Sequence, residues 1–280
     1  MNHSKLNARL FTWSSINRST ILLLGVFFCS ITHAQKNLWE LGGAAGAFDF
    51  RLYPGSSQSK SYLLPLPYFT FRSKYLEIDR GIRGILPAGS HWHLDLSADF
   101  GLPVDSSDSD VRAGMPNLDA VLQIGPSLEY SIIGEINSPR QFRLELPLRT
   151  AISIDKDNTA NEGWLIEPRL VYELRRTGRT GLFAKVRAGI RYASQDYHAY
   201  YYNVDPQFVT PERDFFQSEK GYSGFVLDLR SAWREDDLIF WGLIRYQNLQ
   251  GAEYENSPLV EDTSYYFIGL GVTWVFAGNY

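Results

Sequence analysis

His91, His93 and Asp95 stand at alternate positions, and Ser97 and Asp99 continue the spacing. Imidazole nitrogens with a carboxylate are ligands that zinc accepts. With Ser97 added, the set resembles the parts of a hydrolase, whose nucleophile needs a hydrogen-bonded base. The intervening residues, Trp92, Leu94, Leu96, Ala98 and Phe100, are all apolar. A strict period of two is that of a β-strand, which sends the two sets to opposite faces. Side chains two apart on a strand stand roughly 7 Å apart and run parallel instead of converging on one atom. The polar set is therefore read as an ordinary lining. A metal site on His91, His93 and Asp95, or a hydrolase, is the minority reading, and no cofactor is expected.

The elements that carry these residues repeat along the chain. Phe142, Leu144, Leu146 and Leu148 alternate with Gln141, Arg143, Glu145 and Arg149. Trp164, Ile166, Leu170, Tyr172 and Leu174 share one face, against Glu167, Arg169, Glu173 and Arg175. Leu182, Val186 and Ile190 oppose Lys185, Arg187 and Arg191. Strand-like runs such as 140–154 far exceed the roughly 5–6 residues usual in globular sheets, and they suit tilted strands crossing a bilayer. In such a wall the apolar face meets lipid and the polar face lines a lumen. The lumen lining is read as His91, His93, Asp95, Arg143, Glu145, Glu167, Arg169, Lys185, Arg187 and Arg191. A small barrel is narrow, so these side chains are expected to occupy much of it.

The last run puts Tyr266, Ile268, Leu270, Val272, Trp274 and Phe276 on one face. Tyr266 at one end and Trp274 and Phe276 at the other match the two aromatic girdles of a membrane barrel. Only Ala277, Gly278, Asn279 and Tyr280 follow, either as a short tail or with Tyr280 as the terminal aromatic.

The N-terminus sets the compartment. Lys5, Arg9 and Arg18 precede a short apolar run, Ile21 to Phe28, and then Ser30-Ile31-Thr32-His33-Ala34. This is the layout of a secretory signal peptide over 1–34, cleaved near Ala34, with the barrel over 35–280. The run is too short for a spanning helix. The only cysteine, Cys29, lies in the leader, so thiol chemistry is excluded from the rest. The chain is acidic (net charge −4) and loses three basic residues with the leader, which argues against nucleic acid as a partner. With 17 Tyr, 17 Phe and 7 Trp and no other long apolar run, the composition fits a bacterial outer-membrane barrel.

Connections alternate in length. Residues 103–118, 155–162, 195–220 and 251–262 are long and fall on one side. The turns at 87–90, 176–179 and 234–237 are short and fall on the other. Eleven runs cannot return both termini to the same side, and single-chain bacterial barrels use even numbers. The expected fold class is an all-β, transmembrane, antiparallel up-and-down β-barrel of twelve strands, with ten as the alternative. The fault lies near the N-terminus or inside a long loop. Pro65 and Pro67 lack N–H donors on one side of their strand, which predicts either a strand end or a seam where the wall opens. Asp105, Asp108 and Asp110 form an acidic loop suited to solvent, or to the cations that bridge lipopolysaccharide.

Several segments, in order, resemble a known family. They are Leu38-Trp39-Glu40-Leu41-Gly42-Gly43, Leu64-Pro65-Leu66-Pro67-Tyr68-Phe69, Asn117-Leu118-Asp119-Ala120 and Ile268-Gly269-Leu270-Gly271-Val272. Together they are similar to the MipA/OmpV family of MltA-interacting outer-membrane proteins. The resemblance implies a non-enzymatic barrel that scaffolds a murein lytic transglycosylase and a penicillin-binding protein, or a narrow porin-like channel for small polar solutes. An outer-membrane hydrolase is the third reading. The resemblance carries no catalytic residues. The apolar stripes imply contact with outer-membrane lipid and lipopolysaccharide, and a closing strand ending in an aromatic is similar to the signal read by the outer-membrane assembly machinery.

Overall fold

The computed structural model describes residues 38–73, 76–78, 82–84, 86–87, 91–134, 138–155, 158–176 and 180–279. The leader read over 1–34, with its cleavage site at Ala34, lies outside the described residues. So do the tips of the turns at 87–90 and 176–179.

Alternation of apolar and polar residues over long runs produces long antiparallel strands. The wall opens with β1 (Leu38–Arg51) and β2 (Ser59–Arg72). The short segments β3 (Leu76–Ile78), β4 (Ile82–Gly84) and β5 (Leu86–Pro87) follow. Next come β6 (Trp92–Gly101), β7 (Ala120–Ile133), β8 (Arg140–Ile154), β9 (Thr159–Ile166) and β10 (Arg169–Arg176). The remainder is β11 (Thr180–Ala193), β12 (Gly221–Glu235), β13 (Leu238–Asn248) and β14 (Ser264–Gly278). All belong to one sheet of 14 strands, ordered β4-β3-β2-β1-β14-β13-β12-β11-β10-β8-β7-β6-β5, with β9 pairing β8 and β11. Thus β9 and β10 are two halves of one stave, broken at Glu167-Pro168, where a proline cannot continue the ladder. The two ends of the path, β4 and β5, are separated by a single residue in the sequence.

Three sequence expectations change here. The run at 75–87 is not one strand. Its β3 and β4 pair antiparallel, Leu76 with Gly84 and Ile78 with Ile82. That extra reversal is the fault in the eleven-run count, because a turn within a stretch of strand-forming residues leaves no mark on a period-two pattern. The connection assigned to 155–162 is shorter than expected, since β9 starts at Thr159. The tail after Phe276 does not hang free. Gly278 pairs Glu40 and Ala277 pairs Leu41, while Trp39 N donates to Asn279 Oδ1 at 2.8 Å.

Outward residues are exposed and apolar: Trp92, Leu94, Leu96 and Phe100 on β6, Leu144, Leu146 and Leu148 on β8, and Ile268, Leu270 and Trp274 on β14. Tyr266, Trp274 and Phe276 are all more than half exposed. Such a band is stable against hydrocarbon and costly against water. Among the described residues the one regular α-helix is α1 (Gln195–Tyr202), whose N-cap Ser194 accepts from Tyr197 N. No helix among the described residues is long and apolar enough to cross a membrane.

Candidate functional site

The polar faces of β6 to β13 turn inward, and their charges form one connected network. Arg143 pairs with Glu145 at 2.8 Å, Glu129 at 3.4 Å and Glu173 at 3.3 Å. Arg169 bridges Glu145 (2.6 Å) and Glu167 (3.0 Å). Glu167 also receives Arg149 (3.2 Å) and Arg191 (2.7 Å). Arg149 reaches Asp99 at 3.5 Å, and Asp99 meets Arg245 at 3.4 Å. Arg245 continues to Asp228 (3.1 Å), which also holds Arg187 and Arg230, each at 2.9 Å. Lys185 and Arg175 join through Glu173.

The Asp99–Arg245 contact links β6 to β13, strands that five others separate along the sheet order. The network therefore crosses the interior instead of following the wall. Arg143, Glu145, Glu167 and Arg191 are buried, and Arg169, Lys185 and Arg187 nearly so. Such charges tolerate burial only because each has a partner.

The polar set that opened the sequence reading is split. His93 is buried and Asp95 half-buried on the inner face, with Asp95 Oδ1 accepting from Leu96 N at 2.7 Å. His91 lies outside β6, exposed, its ring 6.0 Å from that of Tyr130. Among the described residues no group of three or more His, Cys, Asp or Glu is placed to hold a metal.

Above the network, four connections fold into one apolar cap. Tyr53, Val104, Leu118, Tyr197, Tyr201, Tyr202, Leu249 and Tyr254 are buried in a single cluster. The rings of Tyr202 and Tyr254 stack at 3.7 Å and 6°. Hydrogen bonds tie connection to connection: Tyr53 Oη to Leu259 O (2.8 Å), Tyr202 Oη to Pro54 O (2.9 Å) and Arg112 Nη1 to Tyr201 O (3.0 Å). Arg213 Nη1 donates to Val111 O at 2.7 Å. Burial pushes the Tyr53 phenol up to about 12 and lowers the Arg112 guanidinium and the His198 imidazole. His198 Nδ1 lies 2.6 Å from Glu219 O. Gln123 Nε2, on the wall, donates to Tyr197 Oη at 3.1 Å and joins cap to interior.

Sequence reasoning found the charged inner face but missed this cap, although the run Tyr200-Tyr201-Tyr202 was visible. Its helix mixes Gln195, Asp196 and His198 with four tyrosines and has no amphipathic stripe to betray it. Asp108 and Asp110 of the acidic connection are engaged with Lys60 and Gln58 of the β1–β2 hairpin.

The arrangement couples facing strands through mutually paired charges in the interior. A family model described as MltA-interacting protein MipA matches residues 42–276. No curated protein matches the chain. Among solved structures, the crystal structure of the Ralstonia pickettii toluene transporter TbuX is similar at 9% identity, covering 87% of this chain and 70% of that one. Its TM-score is 0.26, a likeness too loose to carry an argument.

Proposed function

This chain belongs to the MltA-interacting protein MipA family, matched over residues 42–276, and from that membership we propose a non-enzymatic outer-membrane β-barrel that scaffolds cell-wall enzymes and does not conduct solutes. Family membership, the curled antiparallel sheet and its apolar outer band support an outer-membrane β-barrel protein. The leader at 1–34 delivers the chain for cleavage near Ala34, and the assembly machinery inserts it among lipid and lipopolysaccharide. The long connections then face outward and the tight turns face the periplasm.

The observation that carries the non-conducting reading is the ion-pair network crossing the interior from Asp99 to Arg245 beneath the aromatic cap. A conducting lumen keeps charged side chains apart and hydrated, whereas here Asp99, Glu145, Glu167, Glu173 and Asp228 each bridge two or more cations. The lining residues His93, Asp95, Arg143, Glu145, Glu167, Arg169, Lys185, Arg187 and Arg191 act as internal crosslinks in this reading. The partners are a murein lytic transglycosylase, as the family's description suggests, and a penicillin-binding protein. They would be held by the periplasmic rim.

Two measurements test this. In planar bilayers the purified protein is expected to give no ohmic steps; steady single-channel steps would return the porin reading. Pull-down from solubilised envelopes is expected to enrich murein transglycosylase activity, and a partner-free eluate would remove the scaffold role.

A further inference from the structure

The interior network is saturated on one side and short of acid on the other. On β8 and β10, Arg143 holds three carboxylates, Glu129, Glu145 and Glu173, and Arg169 holds two, Glu145 and Glu167. On β11 and β12 the balance reverses. Among the described residues, Asp228 is the one carboxylate paired with Arg187 and with Arg230. Arg245 on β13 shares Asp228 and reaches Asp99 as well. Lys185 meets Glu173 alone, at 3.6 Å. Asp99 and Glu173 already serve Arg149 and Arg143. Four cations therefore gather round a single carboxylate of their own.

The ladder register makes these four one patch. Lys185 lies opposite Arg230, Arg187 opposite Asp228, and Asp228 opposite Arg245. Three strands about 4.8 Å apart, with same-face residues about 7 Å apart along each, give a surface roughly 10 Å by 7 Å. Its side chains meet open space inside the wall. Arg230 is 31% exposed, Arg245 20%, Lys185 17% and Arg187 13%, against 2% for Arg143 and Arg149. Spare donors remain there. Arg230 gives Asp228 only its Nε, which leaves both terminal nitrogens, and Arg187 gives Nε and Nη2, which leaves Nη1. Guanidinium groups with N–H groups to spare match the oxygens of phosphate or carboxylate, and such charge-assisted bonds are the strong ones.

The surface beside the patch is aromatic. Phe267 lies opposite Arg245, and Leu243 opposite Arg230. Phe50 stacks on Phe267 at 4.5 Å, and Phe48 lies parallel to Phe267 (2°) at 6.4 Å. A Cβ at Gly269 would stand 2.8 Å from Phe48 Cδ1, so the Phe48 ring lies flat on the wall and leaves the interior open. Phe48, Phe50 and Phe267 are each half-buried. Cations and rings thus adjoin on one inward surface, and each has room beside it.

We propose that this surface binds an aromatic oxyanion, a flat apolar ring bearing a phosphate or carboxylate, inside the wall. The oxyanion sits on Lys185, Arg187, Arg230 and Arg245, and the ring lies on Phe267 and Phe50. The bound charge supplies the acid that this side of the network lacks. Binding needs neither flux through the wall nor a protein partner, so silent bilayers or an empty envelope pull-down leave it standing.

Calorimetric titration of the cleaved chain, refolded in nonionic detergent, tests the site with phenyl phosphate, inorganic phosphate and benzyl alcohol. Phenyl phosphate is expected to bind saturably, one molecule per chain, and about tenfold more tightly than inorganic phosphate, the ring's contribution. Benzyl alcohol, which has the ring without the charge, should give no saturable heat. Arg230→Gln is expected to weaken both anions roughly tenfold, about one charge-assisted hydrogen bond's worth. Phe267→Ala is expected to weaken phenyl phosphate about fivefold and to leave inorganic phosphate unchanged. Heat-modifiable gel mobility confirms a folded wall in each variant. Inorganic phosphate binding as tightly as phenyl phosphate would mean an adventitious ion only. That result, no saturable heat from phenyl phosphate, or unchanged affinity in folded Arg230→Gln overturns the site.

Discussion

Glu167 sits where three guanidinium groups meet, those of Arg149, Arg169 and Arg191. Replacing it by glutamine removes the charge but keeps the shape, leaving three buried cations short of a partner. Glu167→Gln is expected to lower wall stability by about 3–5 kcal/mol, the usual cost of breaking a buried pair. Guanidinium unfolding of the detergent-refolded protein measures it, and an unchanged midpoint would show that the network is solvated. Gly271 illustrates a different constraint. A Cβ there would lie 2.2 Å from Trp241 Cζ2 and 2.5 Å from Ala45 O, so the indole lies flat on the wall only because the residue is glycine. Gly271→Ala is expected to cost about 1–3 kcal/mol and to shift tryptophan emission as the ring is displaced. The alternation that assigned Arg143, Glu145 and Glu167 to the inner face was legible in the sequence, because period two depends only on local geometry. Their partners were not. Asp99 and Arg245 meet across the interior, and only the curl of the sheet decides that.

The cap is the element whose stability can be read apart from the wall. Its contacts are apolar and aromatic, and its backbone runs through connections, not ladders. Tyr202→Ala removes the ring stacked on Tyr254 and is expected to open the cap, with a loss of about 3–5 kcal/mol. Limited proteolysis should then cleave within 203–218 while heat-modifiable mobility persists. A protected cap would show that the stack is dispensable. His198 makes the same element sensitive to acid. Burial lowers its affinity for a proton, against a smaller opposing effect from its contact with Glu219 O and from nearby Glu253. The folded cap holds the neutral ring, whereas the opened one takes a proton below about pH 6.5. The contribution is therefore full above that pH and is lost as pH falls. Protease cleavage of 203–218 is expected to be faster at pH 5 than at pH 8; equal rates would exclude His198 as the cause. The sequence marked 195–220 as long but not as structured, since eight residues with tyrosines on every side show neither helical nor strand periodicity.

At the scale of the whole molecule, the outer band must meet hydrocarbon. Leu270 lies mid-strand on β14 and is 61% exposed. Leu270→Arg is expected to cost about 2–4 kcal/mol in lipid vesicles. The same change on a water-facing surface would be nearly neutral, so a neutral result in vesicles would argue against a membrane-spanning wall. The strand directions and the side on which connections fall were legible, because loop length alternates with direction. The reversal hidden in 75–87 was not, because both arms of that hairpin use strand-forming residues. The pairing of β1 with β14, Glu40 opposite Gly278, bears on how the chain is made. These partners lie near opposite ends of the described residues, so the ladder between them waits until β14 has been made. Contacts this distant in sequence make folding slow. During that interval β1 and β13 expose open edges, which invite pairing with other chains. A chain truncated before β14 is expected to be degraded, not inserted as a smaller wall.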